Sequence, residues 1–224
     1  MVRHAFIVVT LLALGAAQTA SQSEPRPAPE AVARDLQKKY DTIRDFSADF
    51  VHTYQGGVLR KQAIERGALL IKKPGKMRWT YMTPEKKLFV SDGTKMYSYV
   101  PLDNQVIVSN VPDDKTASAP VLFLAGKGDL TRDFTASYGT ASEAPAGSRI
   151  LTLVPRQSEA DYESITLVLD RELRITVLIT IDGQGGRSAF AFSNFKENLG
   201  LSDKEFTFKV PRGADVITDD RPSL

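Results

Sequence analysis

Few residues of this chain could carry out catalysis. His4 and His52 are the two histidines, and there is no cysteine. No Gly-x-Ser-x-Gly elbow is present, so an activated nucleophile would have to depend on His52. General-base catalysis needs a partner that orients the imidazole, and the pattern around His52 is that of an aromatic strand. We therefore expect no catalytic residue and a protein that is not an enzyme.

Metal and phosphate chemistry are equally poorly supported. The aspartate pairs at 113–114 and 219–220 lack the regularly spaced oxygens and the turn glycine of a calcium loop. The glycine-rich stretch 183–186 lies between two strand patterns instead of opening a helix, which favours a hairpin turn over a phosphate loop. We expect no metal site and no cofactor.

Composition excludes several classes of protein. The chain has 224 residues, 42% of them hydrophobic, which is enough for one sizeable core. Lysine and arginine total 29 against 27 acidic residues, and the basic residues are scattered, so a nucleic-acid binder is disfavoured. The lack of cysteine excludes disulfides and a lipidated N-terminal cysteine.

The N-terminus is typical of an export signal. Arg3 and His4 precede an apolar run at 5–14, which is followed by small residues at 15–17. This run is too short to span a bilayer. We expect a signal peptide at 1–17, a flexible lead-in at 18–29, one domain at 30–216 and a short tail at 217–224. The mature protein should be soluble and periplasmic.

The elements change from helical to strand periodicity early in the chain. Val32, Leu36, Tyr40 and Ile43 recur at helical spacing, with Pro29 suited to the first turn. Period-two alternation then begins at Phe46, and turn signals at 74–75, 92–93 and 182–186 predict hairpins. Strands are predicted at 46–54, 67–72, 76–82, 88–91, 95–100, 105–109, 149–154, 165–169, 174–181, 188–192 and 205–210. Many short strands with few helices predict a mainly β barrel or half-barrel.

Large apolar groups alternate along several of these strands. The predicted core side carries Ile175, Val177, Ile179, Ile181, Met77, Trp79, Tyr81, Phe190, Phe192, Phe206 and Phe208. An apolar turn at 121–125 precedes a short helix that Asp129 could cap and that we expect to run through Phe134. Because a turn that is apolar all round must be covered or must close over a cavity, we expect a continuous apolar cavity beneath 121–134.

Several motifs together resemble the LolA family of outer-membrane lipoprotein carriers. They span roughly 30–216 and are found at 72–81 (KKPGKMRWTY), 84–85 (PE), 90–93 (VSDG), 97–99 (YSY), 104–106 (NQV) and 206–216 (FTFKVPRGADV). The resemblance implies an unclosed antiparallel β-barrel with an N-terminal helix and a lid of short α-helices. It also implies a monomeric chaperone that takes acylated lipoproteins from the LolCDE transporter and passes them to a LolB-like acceptor.

The resemblance assigns roles to particular residues. By the resemblance, Met77 and Trp79 would line the acyl-chain cavity. The strand alternation adds other large side chains of the predicted core side to that lining: Tyr81, Phe190, Phe192, Phe206 and Phe208. The lid would include Val121, Leu122, Phe123 and Leu124, with Leu124 facing the acyl chains. The family's lid latch is an arginine before the signature proline, and here that position is Lys73, whose ammonium lacks the planar fork of a guanidinium. Arg78 is the other possible latch, but alternation places it opposite Trp79.

Three other interpretations stay open. A LolB-like acceptor shares the half-barrel but is itself a lipoprotein, which the lack of cysteine disfavours. An RseB-type sensor of lipoproteins would carry an additional C-terminal domain, whereas this sequence stops soon after the last predicted strand. A non-catalytic β-protein with a filled core would have no ligand cavity.

Overall fold

The computed structural model describes residues 26–56, 62–111, 123–157 and 162–219, and these residues form a 12-stranded sheet with a few short helical elements. The helical elements are α1 (Pro29–Thr42), α2 (Leu130–Asp133) and a 3₁₀ helix (Asp203–Phe206). The strands are β1 (Asp45–Gln55), β2 (Gln62–Lys72), β3 (Lys76–Thr83), β4 (Lys87–Asp92), β5 (Lys95–Val100), β6 (Gln105–Asn110), β7 (Phe134–Tyr138), β8 (Arg149–Pro155), β9 (Ser164–Leu169), β10 (Ile175–Ile181), β11 (Arg187–Glu197) and β12 (Asp215–Asp219).

The sheet is open. Its strand order is β12-β6-β5-β4-β3-β2-β1-β11-β10-β9-β8-β7, with β12 and β7 at opposite edges. Every pair is antiparallel except β12 with β6. Tight turns set the register: the Asp92 carboxylate, for example, accepts hydrogen bonds from the amides of Thr94 and Lys95, both at 2.8 Å. The predicted unclosed, mainly β half-barrel is confirmed.

One face of the sheet carries α1 and most of the core, and we call it the inner face. Helix α1 begins at Pro29 and buries Val32, Leu36 and Tyr40, because these positions share one side of a helix. The fully buried core side chains from the strands of this face include Phe46, Phe50, Leu69, Ile71, Met77, Leu151, Leu153, Leu167 and Ile175. Each such side chain contributes about 1.5–3 kcal/mol relative to an exposed one.

The predicted strand at 205–210 is wrong. After β11 the chain crosses to the opposite, outer face, where it forms the 3₁₀ helix against β3 and β4. The buried Asp45 carboxylate fixes this crossing by accepting the amides of Leu199, Gly200 and Leu201 at 2.5, 3.2 and 3.1 Å. Asp203 then lies between the ammonium groups of two lysines of β2 and β3, Lys72 at 2.7 Å and Lys76 at 3.0 Å.

Three other predictions are corrected. A register shift between Ile175 and Val177 turns Val177 and Ile179 to the outer face, where they pack with Val168 and Ala189, and Ile181 packs against that cluster. Asp129 caps α2 as expected, but the helix ends at Asp133 and β7 starts at Phe134. The last strand is β12, at Asp215–Asp219, whereas the series of predicted strands ended at 210.

Within 26–56, 62–111, 123–157 and 162–219, no helix has both the length and the apolar character needed to cross a membrane.

Candidate functional site

An aromatic layer covers the middle of the inner face. The register of β1 with β2 and β11, and of β2 with β3, brings Phe50, Trp79, Tyr81 and Phe190 together. Ring centroids lie 5.2 Å apart for Phe50 and Trp79, 4.9 Å for Phe50 and Tyr81, and 5.1 Å for Trp79 and Phe190, each pair edge-on. The strand alternation predicted for Met77, Trp79 and Tyr81 therefore points all three inward.

A cavity of about 290 Å³ opens beside this layer. Its lining residues are Glu65, Trp79, Tyr81, Lys87, Leu88, Phe89, Ser98 and Phe190. Pockets that enclose small ligands measure about 300–1,000 Å³, so this cavity is at the lower limit of that range. Apolar walls with a few polar groups at one side are suited to a ligand that is mostly hydrocarbon.

The polar side of the cavity is a hydrogen-bonded network. Glu65 is the centre: its carboxylate accepts from the Lys87 ammonium and lies 3.0 Å from His52 Nδ1. His52 Nε2 lies 2.9 Å from Ser188 Oγ, and its ring stacks on Phe190 at 4.1 Å. Burial acts to raise the pKa of the Glu65 carboxyl, but hydrogen bonds from Lys87 and His52 outweigh it and hold this pKa below its usual value. Glu65 is thus an anion at neutral pH.

Ser188, His52 and Glu65 stand in the order of a hydrolase triad, which the sequence did not reveal. A hydrolase also needs amide donors aimed at the developing oxyanion. Ser188, however, lies within β11, which has a neighbouring strand on each side. It is paired with Tyr54 of β1 and with Thr180 of β10. Because backbone amides around Ser188 are used in these ladders, we interpret the network as a fixed support for Glu65.

The described part of the lid fills the inner face. Leu124 is 1% exposed, and Ala125 and Leu130 are buried with it in the main core. Phe123 stacks on Tyr40 of α1 at a centroid distance of 5.0 Å. The lid positions Val121 and Leu122 lie outside the described residues.

The cavity expected beneath 121–134 stays a prediction, because 121–122 lie outside the described residues. The residues that line the 290 Å³ cavity include none from 123–134. A small space of about 10 Å³ near Tyr40 and Ile43 is no larger than one water site. The cavity of about 290 Å³ thus lies to one side of the described lid residues, which pack with α1 in the main core.

The described lid residues are joined to the β2–β3 turn through the backbone. Gly75 N–H donates to Ala125 O at 2.8 Å, which joins the β2–β3 turn to the lid. Lys73 donates to Tyr40 O, at the end of α1, and its stem packs against Gly126. Among the described lid residues, Lys73 thus packs on Gly126 through its methylenes, and burial lowers the pKa of its ammonium to about 8.

The remaining predicted site residues are divided between the two faces. Met77 and Phe192 belong to the inner core but do not line the cavity. Arg78 is on the outer face, where Nη1 lies 3.3 Å from Glu205 O, so it is not a latch. Phe206 and Phe208 belong to the crossing segment on that same face, and Phe208 packs on Tyr97 at 5.3 Å, so neither lines the inner cavity.

Sequence reasoning missed five residues of the cavity wall: Glu65, Lys87, Leu88, Phe89 and Ser98. The signal that could have found them is register. Trp79 faces Phe89, and Phe89 faces Ser98 in the next strand, so counting outward along the hairpins from Trp79 reaches both residues.

Comparisons with known proteins agree with this architecture. A curated relative from Chromohalobacter salexigens, named outer-membrane lipoprotein carrier protein, is 33% identical over 188 residues, which cover 84% of this chain and 87% of the relative. A relative of the same name from Methylococcus capsulatus is 28% identical over 95% of this chain and 96% of its own length. A crystal structure of an uncharacterized conserved protein from Thermus thermophilus shares the fold, with a TM-score of 0.51 at 13% identity over 84% of this chain and 97% of that one.

The family itself is identified by its sequence model. The model described as outer membrane lipoprotein carrier protein LolA matches residues 41–209, which run from the end of α1 through the 3₁₀ helix. This match includes every strand that lines the cavity. The chain belongs to the LolA family of outer-membrane lipoprotein carrier proteins.

Proposed function

We propose that this protein is a periplasmic chaperone that shields the acyl chains of lipoproteins on its inner face and carries them to the outer membrane. The observation that carries the proposal is the apolar inner face itself, with a cavity beside Trp79, Tyr81 and Phe190. Membership of the carrier family and the export signal predicted at 1–17 support it. The carrier would receive cargo from a LolCDE transporter and release it to a LolB-like acceptor.

The physical need for such a carrier follows from the cargo. Each acyl methylene costs about 0.8 kcal/mol to expose to water, so a lipoprotein with two or three long chains would carry a penalty of tens of kcal/mol. An apolar interior removes this penalty during transit. Release to an acceptor then requires a difference in affinity between the two partners.

Loading would require the inner face to open further. Side chains of α1 and of the lid occupy most of that face, and the cavity of about 290 Å³ is small for several acyl chains. Leu124 and Phe123 would move away and let acyl chains replace them. When empty, the same side chains would keep the apolar interior from water and from aggregation.

No catalytic step is required of this site. Transfer of a lipoprotein between membranes breaks no covalent bond, and the Ser188 network is built within strand ladders. The residues of the cavity would act by burial, by shape and by hydrogen bonding to the cargo.

The direct test is native mass spectrometry of the mature protein after co-expression with a triacylated lipoprotein. We expect a stoichiometric complex that is lost when the acylated cysteine of the lipoprotein is replaced. A cavity-filling variant, Ser98→Phe, should lower the loaded fraction, because Ser98 lines the cavity. Ser137→Phe is the matched control, since Ser137 is exposed on β7.

A second arm tests delivery. Loaded carrier is mixed with outer-membrane vesicles that contain the acceptor, and transferred lipoprotein is measured after sedimentation. If the proposal is wrong, the protein is recovered without cargo, or it binds the acylated and the non-acylated lipoprotein equally well. Binding without any transfer would contradict carriage and would favour a sensor of the RseB type.

A further inference from the structure

The cavity wall contains an ion pair that a purely hydrocarbon ligand would not need. The Glu65 side chain is 13% exposed and that of Lys87 36%, and the two are hydrogen-bonded at the polar side of the cavity. A saturated chain laid across this pair would remove water from both charges and offer nothing in return. The pair therefore indicates a ligand with a polar group at this end.

The pair is also held in place. His52 Nδ1 lies 3.0 Å from Glu65, and His52 is itself fixed by stacking on Phe190 and by Ser188. An ionised carboxylate only accepts hydrogen bonds, so Nδ1 carries the hydrogen in the contact with Glu65. Because Glu65 is held in place, the Lys87 ammonium that binds it is held as well. Of the three N–H donors of this ammonium, one is used by Glu65.

A second donor in the same wall lacks an acceptor. Trp79 is 3% exposed, and its buried Nε1 has no hydrogen-bond partner among the described residues. A buried N–H left in this way has lost its hydrogen bond to water without a replacement. A ligand oxygen that reached it as the cavity opened would supply that replacement.

We infer that Lys87 binds the carbonyl oxygen of the ester or amide that ends an acyl chain, while the methylenes of that chain lie on Trp79, Phe89 and Phe190. This assignment rests on the proposed function and gives the cargo a direction in the site, with its polar end at the Glu65–Lys87 side. Lys87 is a binding residue, and Glu65 and His52 position it.

The net charge of the pair determines which polar group is preferred. Glu65 neutralises Lys87, so an anionic carboxylate gains little net attraction and meets Glu65 as a like charge. A neutral carbonyl still accepts a charge-assisted hydrogen bond from Lys87. The site should therefore favour an ester over a free fatty acid of the same length, which distinguishes an acylated lipid from a free acid as the source.

The test compares three ligands of equal chain length: hexadecane, methyl palmitate and palmitate. Each displaces a fluorescent apolar probe from the purified mature protein, and the midpoints give relative affinities. A hydrogen bond to a charged group contributes about 1.5–3 kcal/mol, so we expect wild type to bind the ester roughly tenfold or more tightly than the alkane. Lys87→Met should abolish this preference, so that the ester and the alkane bind with similar affinity to the variant.

Matched variants separate the specific contact from general charge. Lys86→Met removes an exposed neighbouring ammonium and should keep the preference, and Lys87→Arg should restore much of it. Glu65→Gln leaves Lys87 without its anion and should shift selectivity towards palmitate. Thermal melting of each variant confirms folding.

The outcomes distinguish this inference from the function on which it rests. The inference is overturned if Lys87→Met still prefers the ester. It is also overturned if wild type binds the ester and the alkane equally well. Either result leaves the proposed carrier function unaffected. Failure of wild type to bind any of the ligands overturns both. Selectivity for palmitate in wild type would assign the site to free fatty acids instead.

Discussion

Replacing Gly126 by alanine tests how the lid is held to the β2–β3 turn. Gly126 has a φ of +77°, and a Cβ built there would lie 2.9 Å from Lys73 Cδ and 3.1 Å from Lys73 Cγ. The new methyl group must displace the lysine stem or the lid itself. Either movement would strain the nearby hydrogen bond from Gly75 N–H to Ala125 O, at 2.8 Å.

The chain provides a matched control for the backbone cost. Gly185 has a φ of +75°, and a Cβ there would meet nothing within 4 Å. An alanine in this left-handed region costs about 1–2 kcal/mol at either site. Overpacking adds about 1–3 kcal/mol at Gly126 only, so the free energy of unfolding should fall by about 2–5 kcal/mol in Gly126→Ala and about 1–2 kcal/mol in Gly185→Ala.

Two assays read this difference. Urea unfolding can be followed by the fluorescence of Trp79, the single tryptophan, which is buried on the inner face. Hydrogen exchange of the Gly75 amide reports the lid contact directly, and we expect it to accelerate in Gly126→Ala and not in Gly185→Ala. Suppose that both variants lose the same stability and that the Gly75 amide exchanges at the wild-type rate in both. That result would refute the idea that the contact of Lys73 with Gly126 restrains the lid.

Three further predictions follow from buried contacts. Gly67→Ala should lower the free energy of unfolding, measured by urea titration, by at least about 3 kcal/mol. The added Cβ would lie 2.1 Å from Thr80 O and 2.7 Å from the Phe50 ring. A variant as stable as wild type would contradict this packing. The free energy of unfolding should rise between pH 8 and about 9.5, a range below tyrosine ionisation. The pKa of Lys73 is about 8 in the folded protein and 10.5 when the residue is unperturbed, as in the unfolded chain. Within this range the unfolded state therefore binds more protons than the folded state, and a rise in pH favours folding. Lys73→Met should remove this rise, and a rise that persists in the variant would assign it to another group. Wild type should hydrolyse a nitrophenyl ester no faster than Ser188→Ala, and a rate lost in the variant would show that the triad is catalytic.

The sequence predicted the parts of the site that lie on one continuous strand. Met77, Trp79 and Tyr81 alternate within eight residues of β3, and all three face inward as expected. The hairpin turns, the N-terminal helix and the Asp129 cap were likewise predictable, because their signals lie within a few residues of each other. The polar side of the cavity was not predictable in this way: His52 and Ser188 are 136 positions apart, and pairing of β1 with β11 brings them together.

The same limit explains the wrong strand at 205–210. An extended segment with apolar residues at every second position has one buried side, whether it joins a sheet or crosses its surface. Here Asp45 anchors 199–201 and Asp203 binds Lys72, so Phe208 packs on the outer face against Tyr97. Periodicity determined that Phe208 would be covered, and only the path of the chain decided which face covers it.

The sequence by itself thus determined the class of the fold, its hairpins and an apolar layer through Trp79, because each depends on local period and turn chemistry. The tertiary structure alone decided where space remains on the inner face and which charges border it. Those properties depend on how α1, the lid and β11 pack across β1 to β4, and such distant pairings leave no mark in local spacing.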